Sequence, residues 1–254
     1  MRLSLFEVET IIKYKNKIFG ESSEIYLFGS RVDDNKKGGD IDLYIRTDII
    51  EGLFEKKIEF LSKIQHVLGE QKIDIIFSQE DNRPVEVEAK TKGVKLDIEK
   101  IKLERYFHEC DKHLQRIEEA YGDIEEFLPL SAQKYLELGK DEVQAIDQYL
   151  FRFAKLQDTL GDKIFKLLIA WYEQNSEGLP FIDILNRLEK IGFINNAKEW
   201  IFLRKIRTEI SHQYDDEPEE MSQAINAILQ QKELIKDIYL KVKERTNREI
   251  STKF

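Results

Sequence analysis

The sequence contains little cysteine, proline or glycine for its length. Cys110 is the single cysteine among 254 residues, which excludes an intrachain disulfide and any cysteine-rich metal site. Chains that carry no disulfide are typical of reducing compartments, so we expect a cytoplasmic protein with no disulfide partner. The 4 prolines and 12 glycines interrupt the chain rarely and favour long helices.

Long apolar runs and an excess of positive charge are also missing. No stretch is apolar for long enough to cross a bilayer, and the opening MRLSLFEVET becomes acidic too soon for a signal peptide. We therefore expect no membrane partner. The formal net charge of −9 disfavours broad binding to nucleic acid, which depends on a basic surface. Any contact with RNA must then be local.

The first part of the chain mixes helical and strand patterns. Ser4 and Glu7 have capping-box spacing, which predicts a helix over about 4–19. Asp48 is predicted to cap a second helix that ends at Gly69. The apolar residues of that helix form one predicted stripe: Ile50, Leu53, Phe54, Ile58, Leu61, Ile64 and Leu68. The other elements predicted here are three strands, at about 25–27, 41–45 and 72–77, and a short helix over 84–93.

From about residue 97 onward, only helical periodicity remains. The predicted helices cover about 98–126, 143–174, 181–192, 197–212 and 218–248. The whole pattern predicts an α+β protein of two domains. An α/β domain is expected over 1–96 and an all-α helical bundle over 97–254.

Three acidic residues and a small-residue turn form the first candidate site. Asp40 and Asp42 are two positions apart on a predicted strand, so both side chains point to one face. Two neighbouring carboxylates repel each other, and a hard cation such as Mg²⁺ bound between them offsets this repulsion. Asp74 lies in an apolar strand, where an ionised carboxylate needs a partner, so we expect it to join the pair. The turn at Gly29 and Ser30 offers backbone N–H groups to phosphates.

A purely structural interpretation of these residues exists. Gly-Ser can be a hairpin turn, Asp-x-Asp a solvated strand face, and Asp74 a polar core residue with a satisfied partner. Their occurrence together and in this order on predicted strands favours metal-assisted phosphoryl or nucleotidyl transfer.

The stretch GSRVDDNKKGGDIDL resembles the minimal nucleotidyltransferases of the DNA polymerase β superfamily, whose pattern is Gly-Ser, a loop and Asp-x-Asp. The resemblance covers roughly residues 4–96 and implies a polymerase-β-like fold there. It implies that ATP is the substrate and that about two Mg²⁺ ions act in catalysis. Asp74, assigned by position alone, would complete the metal site or accept a proton. The implied nucleotide-binding residues are Gly29, Ser30 and Arg31, and the implied metal-binding and catalytic residues are Asp40, Asp42 and Asp74.

A second candidate site lies at the end of a predicted helix, in RTEISHQY, 207–214. Histidine can move protons near neutral pH and arginine can stabilise charge on a phosphate, which is sufficient to cleave RNA without a metal. An ideal helix would place Arg207 and His212 about 140° apart. Either the helix distorts near Ile210 or two chains complete the site together, so we predict a homodimer. The structural alternative is that Arg207 pairs with an acid and His212 caps the helix.

RTEISHQY resembles the Arg-x4-His-x-Tyr motif of HEPN domains, and 145–165 is similar to the preceding helix of that family. The resemblance covers about 98–248. It implies a HEPN helical bundle that dimerises, in which Arg207 and His212 are catalytic for RNA cleavage. Thr208 stands where HEPN nucleases often have asparagine, which leaves nuclease activity open. The acidic run DDEPEE beside the motif would repel a phosphate backbone, so a weak nuclease and a domain that only binds its substrate both remain as interpretations.

Minimal nucleotidyltransferases and HEPN proteins commonly occur as neighbouring antitoxin and toxin, and this chain is similar to the two fused. In that family, AMP from ATP is transferred to the motif tyrosine, here Tyr214. An adenylate there would add bulk and negative charge and exclude RNA. The resemblance therefore predicts self-adenylylation that silences a ribonuclease.

Two other functions remain open from the sequence. One is a small-molecule nucleotidyltransferase, of the aminoglycoside-modifying kind, whose helical bundle binds the acceptor. The other is a regulatory dimer that binds nucleotide without turnover.

Overall fold

A computed structural model describes residues 1–33, 35–78, 83–173, 178–210 and 217–253. The protein is mixed α+β, with a four-stranded sheet and many helices, which confirms the predicted class. The chain divides into two compact units, Met1–Lys102 and Leu103–Phe254. None of the helices in the described ranges has the length and apolar character that a bilayer span requires.

The first unit contains the whole sheet. A helix precedes the first two strands, a second helix lies between strands β2 and β3, and a third lies between β3 and β4. The helices and strands are α1 Leu5–Phe19, β1 Glu24–Phe28, β2 Ile41–Arg46, α2 Leu53–Leu68, β3 Ile73–Phe77, α3 Pro84–Lys92 and β4 Val94–Lys95. As predicted, Ser4 and Glu7 form a capping box at the start of α1, and 84–92 is a helix.

The sheet has the strand order β3-β2-β1-β4. Strands β1 and β2 pair antiparallel, β1 and β4 pair antiparallel, and β2 and β3 pair parallel. One face carries apolar residues such as Leu43, which pack in a core cluster with Ile11 of α1 and Phe60 of α2. The other face carries Phe28 and Tyr44, which pack against α3. The polar residues that alternate with the core residues of β2 therefore point away from α1 and α2.

Three details of this unit differ from the sequence prediction. Helix α2 begins at Leu53 after Gly52 in a left-handed conformation, so Asp48 is not its cap. The single apolar stripe was also wrong, because Ile50, Phe54 and Ile58 are exposed while Phe60 faces the core. The two-residue strand β4 was missed, since two residues carry no detectable alternation.

The second unit is helical in the residues described. Helix α4, Ile98–Gly122, begins before the unit boundary. The helices that follow it are α5 Ala132–Leu136, α6 Lys140–Asp158, α7 Lys166–Tyr172, α8 Phe181–Lys190, α9 Ala197–Ile210, α10 Pro218–Leu229 and α11 Lys232–Lys253. Their apolar faces form one core cluster, which includes Phe153, Leu168, Trp200 and Tyr239.

Two predicted long helices are interrupted in the structure. The helix expected over 143–174 contains a π-helical segment, Thr159–Phe165, between α6 and α7. The helix expected over 218–248 is two helices, since α10 ends at Leu229 and α11 begins at Lys232. Apolar residues continue at nearly helical spacing through both interruptions, which is why the period alone did not show them.

Candidate active site

Two of the three predicted acidic residues are set side by side by strand register. In the parallel pairing of β2 and β3, Asp42 lies directly opposite Asp74. Asp40 comes one residue before β2, and its carboxylate is linked to that of Asp74 by the ammonium of Lys72, which contacts both. Strand pairing therefore brings Asp42 to Asp74, and Lys72 ties Asp40 to the same group.

These carboxylates differ in their exposure. The side chains of Asp40 and Asp74 are 46% and 58% exposed. The expectation that Asp74 is a buried acid was therefore wrong, because this face of β3 opens to solvent while its apolar residues point to the core. Asp42 is only partly exposed. An open carboxylate face can receive a ligand without any rearrangement of the core.

The surroundings of Asp42 raise the pKa of its carboxyl group. Burial raises the pKa of the Asp42 carboxyl, and the neighbouring Asp74 and Asp40 carboxylates raise that pKa further. The Lys72 ammonium lowers it in part. These surroundings therefore disfavour the ionised form of Asp42, and a cation placed beside its carboxylate would offset that effect.

Lys72 is a residue of this site that sequence reasoning missed. Its Nζ atom lies 2.5 Å from Asp40 Oδ2 and 3.6 Å from Asp74 Oδ2. The hydrogen bond to Asp40 raises the pKa of the Lys72 ammonium. Lys72 comes immediately before β3, two residues from Asp74, and that spacing was the available signal.

The turn at Gly29 lies against the same carboxylates. Residues Gly29–Val32 form one 3-10 turn directly after β1, and Gly29 has a φ of +70°. A Cβ atom at Gly29 would overlap Oδ2 of Asp42, and a Cβ atom at Gly38 would overlap Oγ of Ser30. The turn can approach Asp42 this closely only because residue 29 has no side chain.

Arg31, which was predicted to hold nucleotide, is engaged with the protein itself. Its side chain donates hydrogen bonds to the carbonyl oxygen of Gly39, at 2.6 and 3.1 Å, and to Glu7 at 3.3 Å. The Arg31 side chain is 15% exposed. In this arrangement, Arg31 shapes the loop that follows Ser30.

Arg2 supports the same loop and carried no signal in the sequence. Its guanidinium donates to the carbonyl oxygens of Ser30 at 2.9 Å, Asp33 at 3.3 Å and Gly38 at 2.8 Å. These partners are 28 to 36 positions away in the chain, so no local pattern indicates them. Arg2 thereby links the beginning of the loop, at Ser30 and Asp33, to its end at Gly38.

The donor set fits a magnesium ion in chemical type. Carboxylate oxygens are the ligands that Mg²⁺ prefers, and it commonly binds one or two of them together with phosphate oxygens. Within the described part of the chain, no three histidine, cysteine, aspartate or glutamate side chains form a ready metal-ligand group. At the three acids, the ammonium of Lys72 lies close to two of the oxygens that a metal would use.

The second candidate site is described only in part. Arg207 lies on α9, and its Nη1 atom is 2.5 Å from Asp158 Oδ1 and 3.4 Å from Gln157 Oε1. His212 and Tyr214 lie outside the described residues. The predicted geometry between Arg207 and His212 therefore stays a prediction.

Arg207 also lines a polar cavity in the second unit. The cavity has a volume of about 240 Å³ and lies beside the π-helical segment Thr159–Phe165. Trp200 contributes a wall and is 1% exposed, with its ring centroid 4.6 Å from that of Phe165. The remaining lining residues are Gln157, Asp158, Gly161, Asp162, Phe181, Arg204 and Thr208. Asp158 and Gln157 were missed because nothing local in the sequence ties them to Arg207.

Comparisons of the chain with protein-family models, with curated proteins and with solved structures found no match. Function is therefore inferred from the two groups of side chains described above and from the sequence motifs that contain them.

Proposed function

We propose that the first unit is an Mg²⁺-dependent nucleotidyltransferase of the minimal, DNA polymerase β type, which transfers AMP from ATP. The observation that carries this proposal is the register between β2 and β3. It sets Asp42 beside Asp74, with Gly29 against Asp42. Sequence motif and strand pairing thus point to the same residues.

The chemistry assigned to these residues is an in-line displacement at phosphorus. The oxygen of an acceptor hydroxyl forms a bond to the α-phosphorus of ATP, and the bond from that phosphorus to the bridging oxygen breaks, releasing pyrophosphate. Asp40 and Asp42 would hold Mg²⁺, which neutralises charge on the phosphates. Ser30 and the backbone of the Gly29 turn would bind the outer phosphates, and Asp74 would complete the metal site or take the hydroxyl proton.

The acceptor that we propose is Tyr214 of the second unit, within the chain or on a second copy. This part of the proposal is supported by the likeness of RTEISHQY to the Arg-x4-His-x-Tyr motif of HEPN domains. An adenylate on Tyr214 would place a phosphate two residues from His212 and would compete with an RNA phosphate.

Intact-mass analysis tests this proposal. The protein is incubated with ATP and MgCl₂, and wild type is expected to gain one or more AMP groups. Asp40→Asn/Asp42→Asn and Tyr214→Phe are expected to gain none. An identical mass increase on Tyr214→Phe would contradict Tyr214 as the acceptor, and ATP consumption without any adduct would point to a small-molecule acceptor instead.

We further propose a metal-independent ribonuclease in the second unit, which adenylylation silences. The observation in its favour is that Arg207 lines a polar cavity, whereas its ion pair with Asp158 is also what the structural alternative predicts. Asp40→Asn/Asp42→Asn, which cannot modify itself, is expected to cleave RNA in EDTA, whereas the same variant with His212→Ala is not. Cleavage that survives His212→Ala would contradict this assignment.

A further inference from the structure

Lys72 is held beside the acidic residues by its backbone as well as by its charge. Its carbonyl oxygen accepts a hydrogen bond of 2.9 Å from the N–H of Ile41, the first residue of β2. From this anchored position, the side chain reaches Asp40 Oδ2 at 2.5 Å and Asp74 Oδ2 at 3.6 Å. One ammonium group therefore serves two carboxylates that approach the site from neighbouring strands.

An ammonium in this position competes with a metal ion. Both cations are attracted to the same carboxylate oxygens, and Mg²⁺ would have to break the contact between Lys72 and Asp40 in order to bind. In the structure the ammonium already contacts Asp40 Oδ2, an oxygen that a bound metal ion would use. Mg²⁺ without a nucleotide must therefore displace the Lys72 ammonium from Asp40 and is also repelled by its positive charge.

The same positive charge has the opposite effect on a nucleotide. A triphosphate with one bound Mg²⁺ still carries net negative charge, so a nearby ammonium attracts it. The side chain of Lys72 is 66% exposed and ends a flexible four-carbon chain. It can therefore leave Asp40 and stay close enough to meet a phosphate oxygen.

We propose that Lys72 is a built-in counter-cation that makes this site resist free Mg²⁺ and accept Mg²⁺ together with a nucleoside triphosphate. This inference rests on the proposed nucleotidyltransferase function and adds to it a residue that selects the form of the substrate. In the metal-free state, the Lys72 ammonium contacts the carboxylates of Asp40 and Asp74. In the bound state, it contacts phosphate oxygens of the nucleotide instead.

Two binding measurements on the full chain test this inference. Titration calorimetry is performed with MgCl₂ alone, and then with α,β-methylene-ATP, which does not release pyrophosphate, at saturating MgCl₂. Lys72→Met is expected to bind Mg²⁺ about fivefold more tightly, the factor expected when one exposed ion pair no longer has to be broken. The same variant is expected to bind the nucleotide analogue about fivefold more weakly.

Matched variants separate this role from a general effect of charge or folding. Lys63→Met removes the same charge from the exposed side of α2, which packs on the opposite face of the sheet, and is expected to leave both affinities unchanged. Lys72→Arg keeps the charge and is expected to resemble wild type. Lys72→Gln gives the same two measurements if the methionine variant is poorly folded.

The outcomes distinguish the inference from the proposed function. In Lys72→Met, a change of the affinities for Mg²⁺ and for the analogue in the same direction would overturn the role of Lys72 and leave the nucleotidyltransferase proposal intact. The same conclusion would follow if both affinities stayed unchanged. Wild type that takes up neither Mg²⁺ nor the analogue would overturn both.

Discussion

At the scale of single residues, the candidate site combines a partly buried carboxylate with a glycine turn packed closely against it. Asp42 is partly buried and lies beside two other carboxylates that raise its pKa. Gly29 adopts a left-handed φ of +70° so that the turn can touch Asp42. Carboxylates with a raised pKa and close neighbouring charges are common at binding and catalytic sites.

The pH dependence of the free energy of unfolding tests whether ionised Asp42 destabilises the fold. Because its pKa is raised in the folded state, ionised Asp42 destabilises the fold above the folded pKa, and this penalty disappears as the pH falls below the unfolded value. Asp42→Asn should therefore raise the free energy of unfolding at pH 7 by about 0.5 kcal/mol, with no gain at acidic pH. Urea denaturation in metal-free buffer, at pH 7 and at acidic pH, measures the free energy of unfolding of wild type and variant. Asp48→Asn removes an exposed carboxylate and should change stability at neither pH; an equal gain in the two variants would contradict the argument.

Gly29 and Gly39 form a matched pair for the turn. Gly29→Ala should lower the free energy of unfolding by about 2 kcal/mol, because alanine disfavours the left-handed backbone and its Cβ would overlap Asp42. No atom lies within 4 Å of a Cβ placed on Gly39. Gly39→Ala should therefore stay within about 0.5 kcal/mol of wild type. Urea denaturation that gives the two variants equal stability would show that the close approach of the turn to Asp42 does not matter.

At the scale of elements, the sequence predicts what local period and spacing control. The capping box at Ser4 follows from a spacing of three residues and is present, and the alternation of apolar residues at 41, 43 and 45 correctly predicts β2. The neighbourhood of Asp42 and Asp74 depends on the register between two strands, which no local pattern contains. The sequence suggested it only indirectly, because Asp74 is an acid within an apolar strand.

The π-helical interruption and the contacts between distant residues were also not predicted, because local sequence patterns do not show them. The π-helical segment Thr159–Phe165 keeps its apolar residues in the core, so the helical period continues through it. Arg2, Lys72 and Asp158 act on residues 28 to 49 positions away in the chain. Only the folded chain brings such partners together.

The loop after Ser30 gives a prediction for an element supported from a distance. Arg2→Met removes three hydrogen bonds to loop carbonyl oxygens and should loosen the turn at Gly29 and Ser30. If the proposed nucleotidyl transfer is correct, the KM for ATP should rise about tenfold, since small errors of position weaken productive binding. The free energy of unfolding should change by less than about 1 kcal/mol.

Steady-state kinetics and urea denaturation on the same samples measure both quantities. Lys36→Met, which removes an exposed charge from the same loop, is the control and should leave the KM unchanged. A tenfold KM effect in both variants would assign the result to charge and not to the support of the loop by Arg2.

At the scale of the whole molecule, each unit carries its own hydrophobic core. One cluster of buried residues lies entirely within the first unit and includes Phe60, and another lies entirely within the second and includes Phe153. The carboxylates around Asp42 belong to the first unit and the cavity around Arg207 to the second. Each proposed activity is therefore built on a separate core.

Separate cores predict that damage to one unit leaves the local stability of the other largely intact. Phe60→Ala and Phe153→Ala each remove a fully buried ring and should lower the stability of their own unit by about 3 to 5 kcal/mol. Hydrogen exchange followed by mass spectrometry should show faster exchange through residues 1–102 in the first variant and through 103–254 in the second. Each variant serves as the control for the other. Exchange that accelerates equally in both units after either substitution would mean that the two cores unfold as one, and the two proposed activities could then not be lost independently through folding.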